Sequence, residues 1–195
     1  SAINSMYSDD LGNSWSQPRR LITTPFVNIS TLVKAAPIYY KDGTMALPVY
    51  HEFMGKFAEV LHIDPQGNVL NKTRITHRKH SLQPVLLPSI GKHPTLALMR
   101  NAGSDKMLIA SISEDGGQSW QTSYRQPIPN PNSALAAIRR SDDSLIAILN
   151  NTKDGRNQLA LAYSTDNGDD WKILTMLEQH EFGRRPKQQY LPILE

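Results

Sequence analysis

Two apolar runs in this 195-residue chain end in groups that can do chemistry. Tyr50-His51-Glu52-Phe53 sets an imidazole beside a carboxylate, and Arg100 closes the run Leu96-Ala97-Leu98-Met99. A carboxylate in a cleft can act as acid, base or nucleophile, whereas a guanidinium presents a planar fork that matches an anionic group on a ligand. Amides and one ammonium stand at comparable places: Lys34, Gln83, Asn101, Asn150, and the pair Asn130 and Asn132, spaced two apart among prolines. That spacing holds amides rigid toward a sugar or caps a turn. Glu52 is thus the candidate catalytic carboxylate. Arg100, His51, Lys34, Gln83, Asn101, Asn130, Asn132 and Asn150 are candidate ligand contacts. His51 and Glu52 are neighbours, and neighbours on a strand point to opposite sides, so one of the two is expected to face a site.

Composition narrows the chemistry. There is no cysteine, which excludes disulfides, thiolate catalysis and Cys-ligated zinc, and the six histidines are too scattered for a metal motif. No metal and no cofactor is expected. Net charge is +3, a weak bias toward anionic partners. The basic stretch Thr76-His77-Arg78-Lys79-His80 lacks the interleaved aromatics of single-strand binders and reads as a solvated loop, so no nucleic-acid partner is expected. Apolar runs such as Leu145-Ile146-Ala147-Ile148-Leu149 are strand-sized, short of the roughly 20 residues of a membrane-spanning helix. The opening Ser1-Ala2-Ile3-Asn4-Ser5 has neither the basic nor the apolar region of a signal peptide.

A repeat must position these residues. The pattern Ser-x-Asp-x-Gly-x-x-Trp occurs with Ser8, Asp10, Gly12 and Trp15, with Ser113, Asp115, Gly117 and Trp120, and with Ser164, Asp166, Gly168 and Trp171. The first gap is about twice the second, so a period of about 50 residues predicts a degenerate copy in between. Ile63-Asp64-Pro65-Gln66-Gly67-Asn68-Val69-Leu70 keeps the glycine in register and places Leu70 where tryptophan stands elsewhere, with Ser and Asp lost. Asp and Ser can tie a tight turn to its own backbone, Gly supplies a positive φ, and Trp folds back beneath as an apolar plug. The box carboxylates therefore read as a folding device.

Short apolar strands separated by turn signals surround each box, an all-β pattern with little room for helices. The segments Leu82–Leu87, Thr95–Arg100, Lys106–Ser113 and Gln121–Gln126 make one unit, and Ala134–Arg140, Leu145–Asn150, Gln158–Ser164 and Lys172–Leu177 the next. Four antiparallel strands per repeat is the measure of a β-propeller blade. The chain reads as one incomplete propeller region over 1–195. It has a partial blade at 1–22, blades at about 35–76, 82–126 and 133–177, and the first strand of another at 189–195. With about three and a half blades, closure needs further residues or self-association. Strand order puts the boxes on one face with the plain turns Lys41-Asp42-Gly43 and Ser141-Asp142-Asp143. The candidate site residues fall on the opposite face, at the mouth of the central funnel.

The boxes resemble the BNR/Asp-box group. Lys34-Ala35-Ala36-Pro37, Pro48-Val49-Tyr50-His51-Glu52-Phe53, Gln83-Pro84, Met99-Arg100-Asn101 and Asn130-Pro131-Asn132-Ser133 make the longer context similar to bacterial predicted neuraminidases of the sialidase superfamily. The resemblance implies a six-bladed parent that hydrolyses terminal sialic acids with retention. It implies three arginines clamping the sugar carboxylate, a tyrosine paired with a glutamate as nucleophile, and an aspartate as acid/base, without metal. Residue by residue, it offers Arg100 as a clamp arginine with Arg156 second, Glu52 as a catalytic carboxylate and Tyr190 as nucleophile. No funnel-face aspartate matches the acid/base. The implied partner is an acidic sugar of a glycoconjugate, in a secreted or periplasmic setting, and the chain alone is expected to be inactive. The alternative is a non-catalytic glycan-binding or interaction propeller.

Overall fold

Strand-length apolar runs and frequent turns fold this chain, in a computed structural model, as fifteen strands and no helix among the described residues, 3–23, 31–53, 55–77 and 79–181. In chain order they are β1 Asn4–Ser5, β2 Arg19–Arg20, β3 Thr31–Val33, β4 Ile38–Tyr39, β5 Met45–His51, β6 Phe57–Ile63, β7 Val69–Arg74 and β8 Ser81–Leu87. They continue as β9 Thr95–Asn101, β10 Met107–Ser113, β11 Tyr124–Pro129, β12 Ala136–Arg139, β13 Leu145–Asn150, β14 Gln158–Ser164 and β15 Lys172–Gln179. All pair antiparallel with chain neighbours: β1 with β2; β3 and β4 with β5, then β6 and β7; β8 to β11; and β12 to β15. These are the blades of a β-propeller, and among the described residues no ladder joins the first sheet to the last. The strand expected at 189–195 lies outside the described residues.

The blade of β8 to β11, flanked on both sides, buries both faces, because alternate side chains of one strand reach opposite neighbours. Leu96 and Leu98 of β9 pack toward Leu135, Leu145, Ala147 and Leu149 of the next blade. Ala97 and Met99, between and after them, pack toward Ala46, Ala58, Val60 and Ile75 of the preceding one. A third cluster, Leu21, Val49, Leu61 and Ile63, joins the 45–74 blade to the first pair of strands.

The boxes form as their residue types predict. In the second, the Ser113 hydroxyl donates to Asp115 at 2.7 Å and accepts from the Gly117 amide at 2.6 Å, while Asp115 accepts the Ser119 amide at 2.8 Å. The first and third repeat this circuit through Ser8, Asp10 and Gly12, and through Ser164, Asp166 and Gly168. The glycines have φ of 91°, 103° and 94°. The tryptophan plug varies: Trp120 and Trp171 pack against the inter-blade clusters, whereas Trp15 is 59% exposed.

The segment 63–70 occupies the box position between β6 and β7 but is a different turn. The Asp64 amide donates to the Asn68 carbonyl and the Gly67 amide to the Asp64 carbonyl, each at 2.9 Å. Tyr40 with Thr44, and Arg140 with Ser144, close their hairpins by the same pattern. Asp64 keeps the aspartate's task, accepting the amide four residues on, that of Asn68, at 2.7 Å, the same separation as in the boxes. The fourth strand of the next blade also departs from expectation. It begins at Tyr124 and not Gln121, because the Gln121 amide is held by the Ile112 carbonyl as the box closes, and β10 carries a bulge between Met107 and Ile109.

Candidate functional site

Arg100 sits next to last in β9, where an apolar strand leaves the inter-blade core and meets the loop before β12. Its Nε donates to the Asn132 side-chain oxygen at 2.8 Å and its Nη1 to the Gln83 oxygen at 3.3 Å. The Gln83 amide nitrogen in turn donates to the Tyr50 hydroxyl at 3.4 Å. From the following blade, Arg156 Nη2 donates to the Asn132 backbone carbonyl at 2.7 Å. Three blades thus contribute to one polar cluster: Tyr50, then Gln83, Arg100 and Asn132, then Arg156.

The cluster is electropositive. Partial burial lowers the Arg100 guanidinium from its usual value and the neighbouring Arg156 charge lowers it further, while Glu52 and Tyr50 act the other way. Glu52 is exposed, so solvent screens its offset. A bound anion would relieve the repulsion between the two guanidiniums.

Left-handed backbone occurs at four side-chain-bearing residues on this face. Gln83 has φ of 48° within a bulge of β8 between Leu82 and Val85, and Asn132 has φ of 58°. His80 and Lys106, at 74° and 55°, lie in the neighbouring loops. Bulges and left-handed side-chain-bearing residues re-aim side chains at a cost the surroundings must cover.

The candidate residues fall into groups. Arg100, Gln83 and Asn132 meet in the cluster, with Glu52 close enough to act on Arg100. Asn101 and Asn130, expected to face a ligand, are wholly buried, because the strand end and loop need their amides. The Asn130 oxygen accepts from the amides of Asn101 at 3.2 Å and Ser133 at 3.3 Å, and its nitrogen donates to the Ser133 carbonyl at 2.9 Å. Asn101 bonds to Asp105, to the Met107 carbonyl at 2.7 Å and to the Gly103 amide at 2.8 Å.

His51 turns the other way, as its place beside Tyr50 requires. It pairs with Glu59 at 2.9 Å and stacks on Phe57, over whose ring Arg74 also lies. Burial pushes the Glu59 carboxyl up, but the His51 hydrogen bond and the charges of Lys72, His51 and Arg74 outweigh it and hold it below the usual carboxylate range. Lys34 donates to the Leu135 carbonyl, linking two inner strands beside a largely apolar cavity of about 630 Å³ that Ile38, Val85 and Ala137 help to line. Asn150 ends β13 one blade beyond Arg100, and Tyr190 lies outside the described residues. Tyr50 and Arg156 join the cluster beyond the ligand contacts that the sequence suggests. Tyr50 was legible as the residue two before Glu52 on an alternating strand. No grouping of three or more metal-ligating side chains occurs among the described residues.

A row of four-stranded antiparallel blades with Asp-box hairpins defines a β-propeller of the sialidase type, and known structures bear this out. A Hadza microbial sialidase superposes with a TM-score of 0.66 at 19% identity over 89% of this chain and 37% of its own. The NanB sialidase of Streptococcus pneumoniae gives 0.69 at 15% identity over 90% and 28%. A leech intramolecular trans-sialidase, solved with 2,7-anhydro-Neu5Ac, gives 0.66 at 16% identity over 87% and 28%. The chain therefore spans less than two fifths of these proteins. No curated protein sequence matches. The BNR repeat-like domain model matches residues 1–190, and the chain belongs to that family.

Proposed function

We propose that this chain carries part of the binding wall of a sialidase-like glycoside hydrolase, of exo-α-sialidase type, acting on a terminal sialic acid or another acidic sugar of glycoconjugates. The observation that carries the reading is the convergence of Arg100 and Arg156 on the two oxygens of Asn132. Arg100 retains an Nη2 with no acceptor among the described residues, so a ligand carboxylate can complete its shell. Glu52 is the catalytic carboxylate and Tyr190 the nucleophile in this reading, with the remaining groups supplied by parts of the propeller outside the described residues.

A second reading is a non-catalytic glycan-binding propeller. It is favoured by the shortage of carboxylates: retaining hydrolysis flanks the scissile bond with two reacting groups, and Glu52 is the one carboxylate among the described residues that acts on Arg100. The test is an assay of the protein carrying this chain with a fluorogenic sialoside and a panel of other acidic glycosides, beside its Arg100→Ala variant. Turnover lost in the variant supports the hydrolase. Binding without turnover selects the second reading, and neither binding nor turnover overturns both.

A further inference from the structure

We infer that Asn132 is a positioning residue, a bracket that sets the guanidiniums of Arg100 and Arg156 as one anion clamp; the inference rests on the acidic-sugar reading above. One residue serves both arginines with different atoms: its side-chain oxygen takes Arg100 Nε at 2.8 Å, and its backbone carbonyl takes Arg156 Nη2 at 2.7 Å. The two cations come from successive blades and repel each other, so their spacing needs a fixed acceptor between them. A neutral amide can do this without cancelling the positive field, as a carboxylate would.

The bracket is itself anchored. Asn132 holds a φ of 58°, a left-handed conformation that asparagine tolerates better than most residues. Its amide donates to the Asn130 carbonyl at 2.9 Å across Pro131, whose ring fixes the intervening φ. Asn130 is fully buried and bonded to the Asn101 and Ser133 backbones, so the loop is tied to the strand end that carries Arg100. Orienting the fork before a ligand arrives removes an ordering cost from binding.

Two variants separate orientation from charge. Asn132→Gly keeps the left-handed backbone and the carbonyl for Arg156 but removes the Arg100 acceptor. Asn132→Asp keeps that acceptor and adds a negative charge. The readouts are the melting temperature, the hydrogen-exchange protection of the Arg100 Nε–H by NMR, and titration with N-acetylneuraminic acid, all on the protein carrying this chain. In Asn132→Gly the melting temperature holds, the protection is lost, and affinity falls about ten-fold, the size of one misoriented charge-assisted contact. In Asn132→Asp the protection stays and affinity falls at least as far. If Asn132→Gly retains the protection or the parent's affinity, the bracket is overturned, and if it fails to fold, loss of the protection in Asn132→Asp overturns it equally. If the protection behaves as stated and the parent binds no acidic sugar, the bracket stands and the acidic-sugar reading falls.

Discussion

Tyr50 and Arg100 occupy the same register position in successive blades. Each lies five residues beyond the one paired with the last residue of the third strand, Met45 with Ile63 and Thr95 with Ser113, and each stands opposite a leucine of the inner strand, Leu32 and Leu82. Asn150 is third in the series, five beyond Leu145, which pairs with Ser164. The repeat thus places one side chain per blade at the same strand position, a phenol, a guanidinium and an amide in the three blades.

Replacement of Arg100 tests the middle member. Its partners are Asn132, Gln83 and a proposed ligand, and it does not belong to the apolar cluster beneath it. Arg100→Ala is expected to lower kcat/KM on an acidic glycoside by about 10²-fold or more, the effect of removing one preorganised donor. Arg100→Lys recovers only part of this, since an ammonium cannot reproduce the fork. Steady-state kinetics beside a thermal melt check it, with little change in melting temperature expected for either.

The two glutamates of the 45–74 blade should separate function from stability. Glu59 is 8% exposed and paired with His51, so Glu59→Ala leaves that imidazole and the nearby Lys72 and Arg74 charges without their common partner. Losing a hydrogen bond to a charged group costs about 1.5–3 kcal/mol. Melting temperature should fall while affinity for an acidic sugar is kept. Glu52→Gln should do the reverse, leaving the melt alone and lowering turnover. Thermal shift and kinetics on both variants give the comparison.

The architecture was legible because box residues act locally. Ser, Asp and Gly bond within their own turn, so their spacing alone announces the hairpin. The site was legible only in part, because which amide faces a ligand depends on contacts between distant residues. Asn130 and Asn132 look equivalent in sequence, yet the first is consumed by Asn101 and Ser133 and the second by two arginines. Arg156 was hard to place because its loop follows the second strand at a distance that periodicity does not constrain. The turn at 63–70 looks like a degraded box in sequence because sequence registers the glycine, whereas the hydrogen bonds register Asp64 with Asn68.

Two box glycines with nearly equal φ differ in what surrounds them. A Cβ on Gly12 would meet only Trp15 at 3.9 Å, whereas one on Gly168 would meet the Gln126 side-chain oxygen at 2.9 Å. That oxygen cannot swing away freely, since Gln126 is buried and accepts the Trp171 indole N–H at 2.8 Å. Both alanine variants carry the strain of a positive φ, about 1 kcal/mol, and Gly168→Ala should lose roughly a further 1 kcal/mol or more through the indole bond. Chemical denaturation of the two variants measures the difference.

Acid should loosen the boxes in a defined window. Hydrogen bonds from the Ser14 hydroxyl and amide and the Ser8 hydroxyl hold Asp10 down to about 2. In Asp115, burial pushes upward but bonds from Ser119 and Ser113 prevail, again to about 2. Between the ordinary value of 3.8 and about 2 the folded boxes bind fewer protons than the unfolded chain, so their contribution is present above that window and lost as pH falls through it. Asp115→Asn should melt lower than the parent at pH 6, with the gap narrowing toward pH 2. A gap unchanged across that range would refute the assignment.

His62 sets a second pH dependence at the seam between two blades. It is 3% exposed, with Nε2 at 3.4 Å from the Thr73 hydroxyl and Nδ1 at 3.3 Å from the Gln118 amide of the next blade's box. Burial lowers its pKa below 6.5, against the opposing effects of the Gly117 backbone and the Asp115 charge. The folded state therefore binds fewer protons than the unfolded chain below about pH 6.5, and the stability His62 contributes is full above that value and lost as pH falls through the depressed one. The loss is at most about 1.4 kcal/mol per pH unit, the limit for a single proton. His62→Gln keeps hydrogen-bonding capacity toward Thr73 and Gln118 without a proton to gain. Its melting temperature should change less than the parent's between pH 7.5 and 5, and parallel curves would exclude His62 as the source.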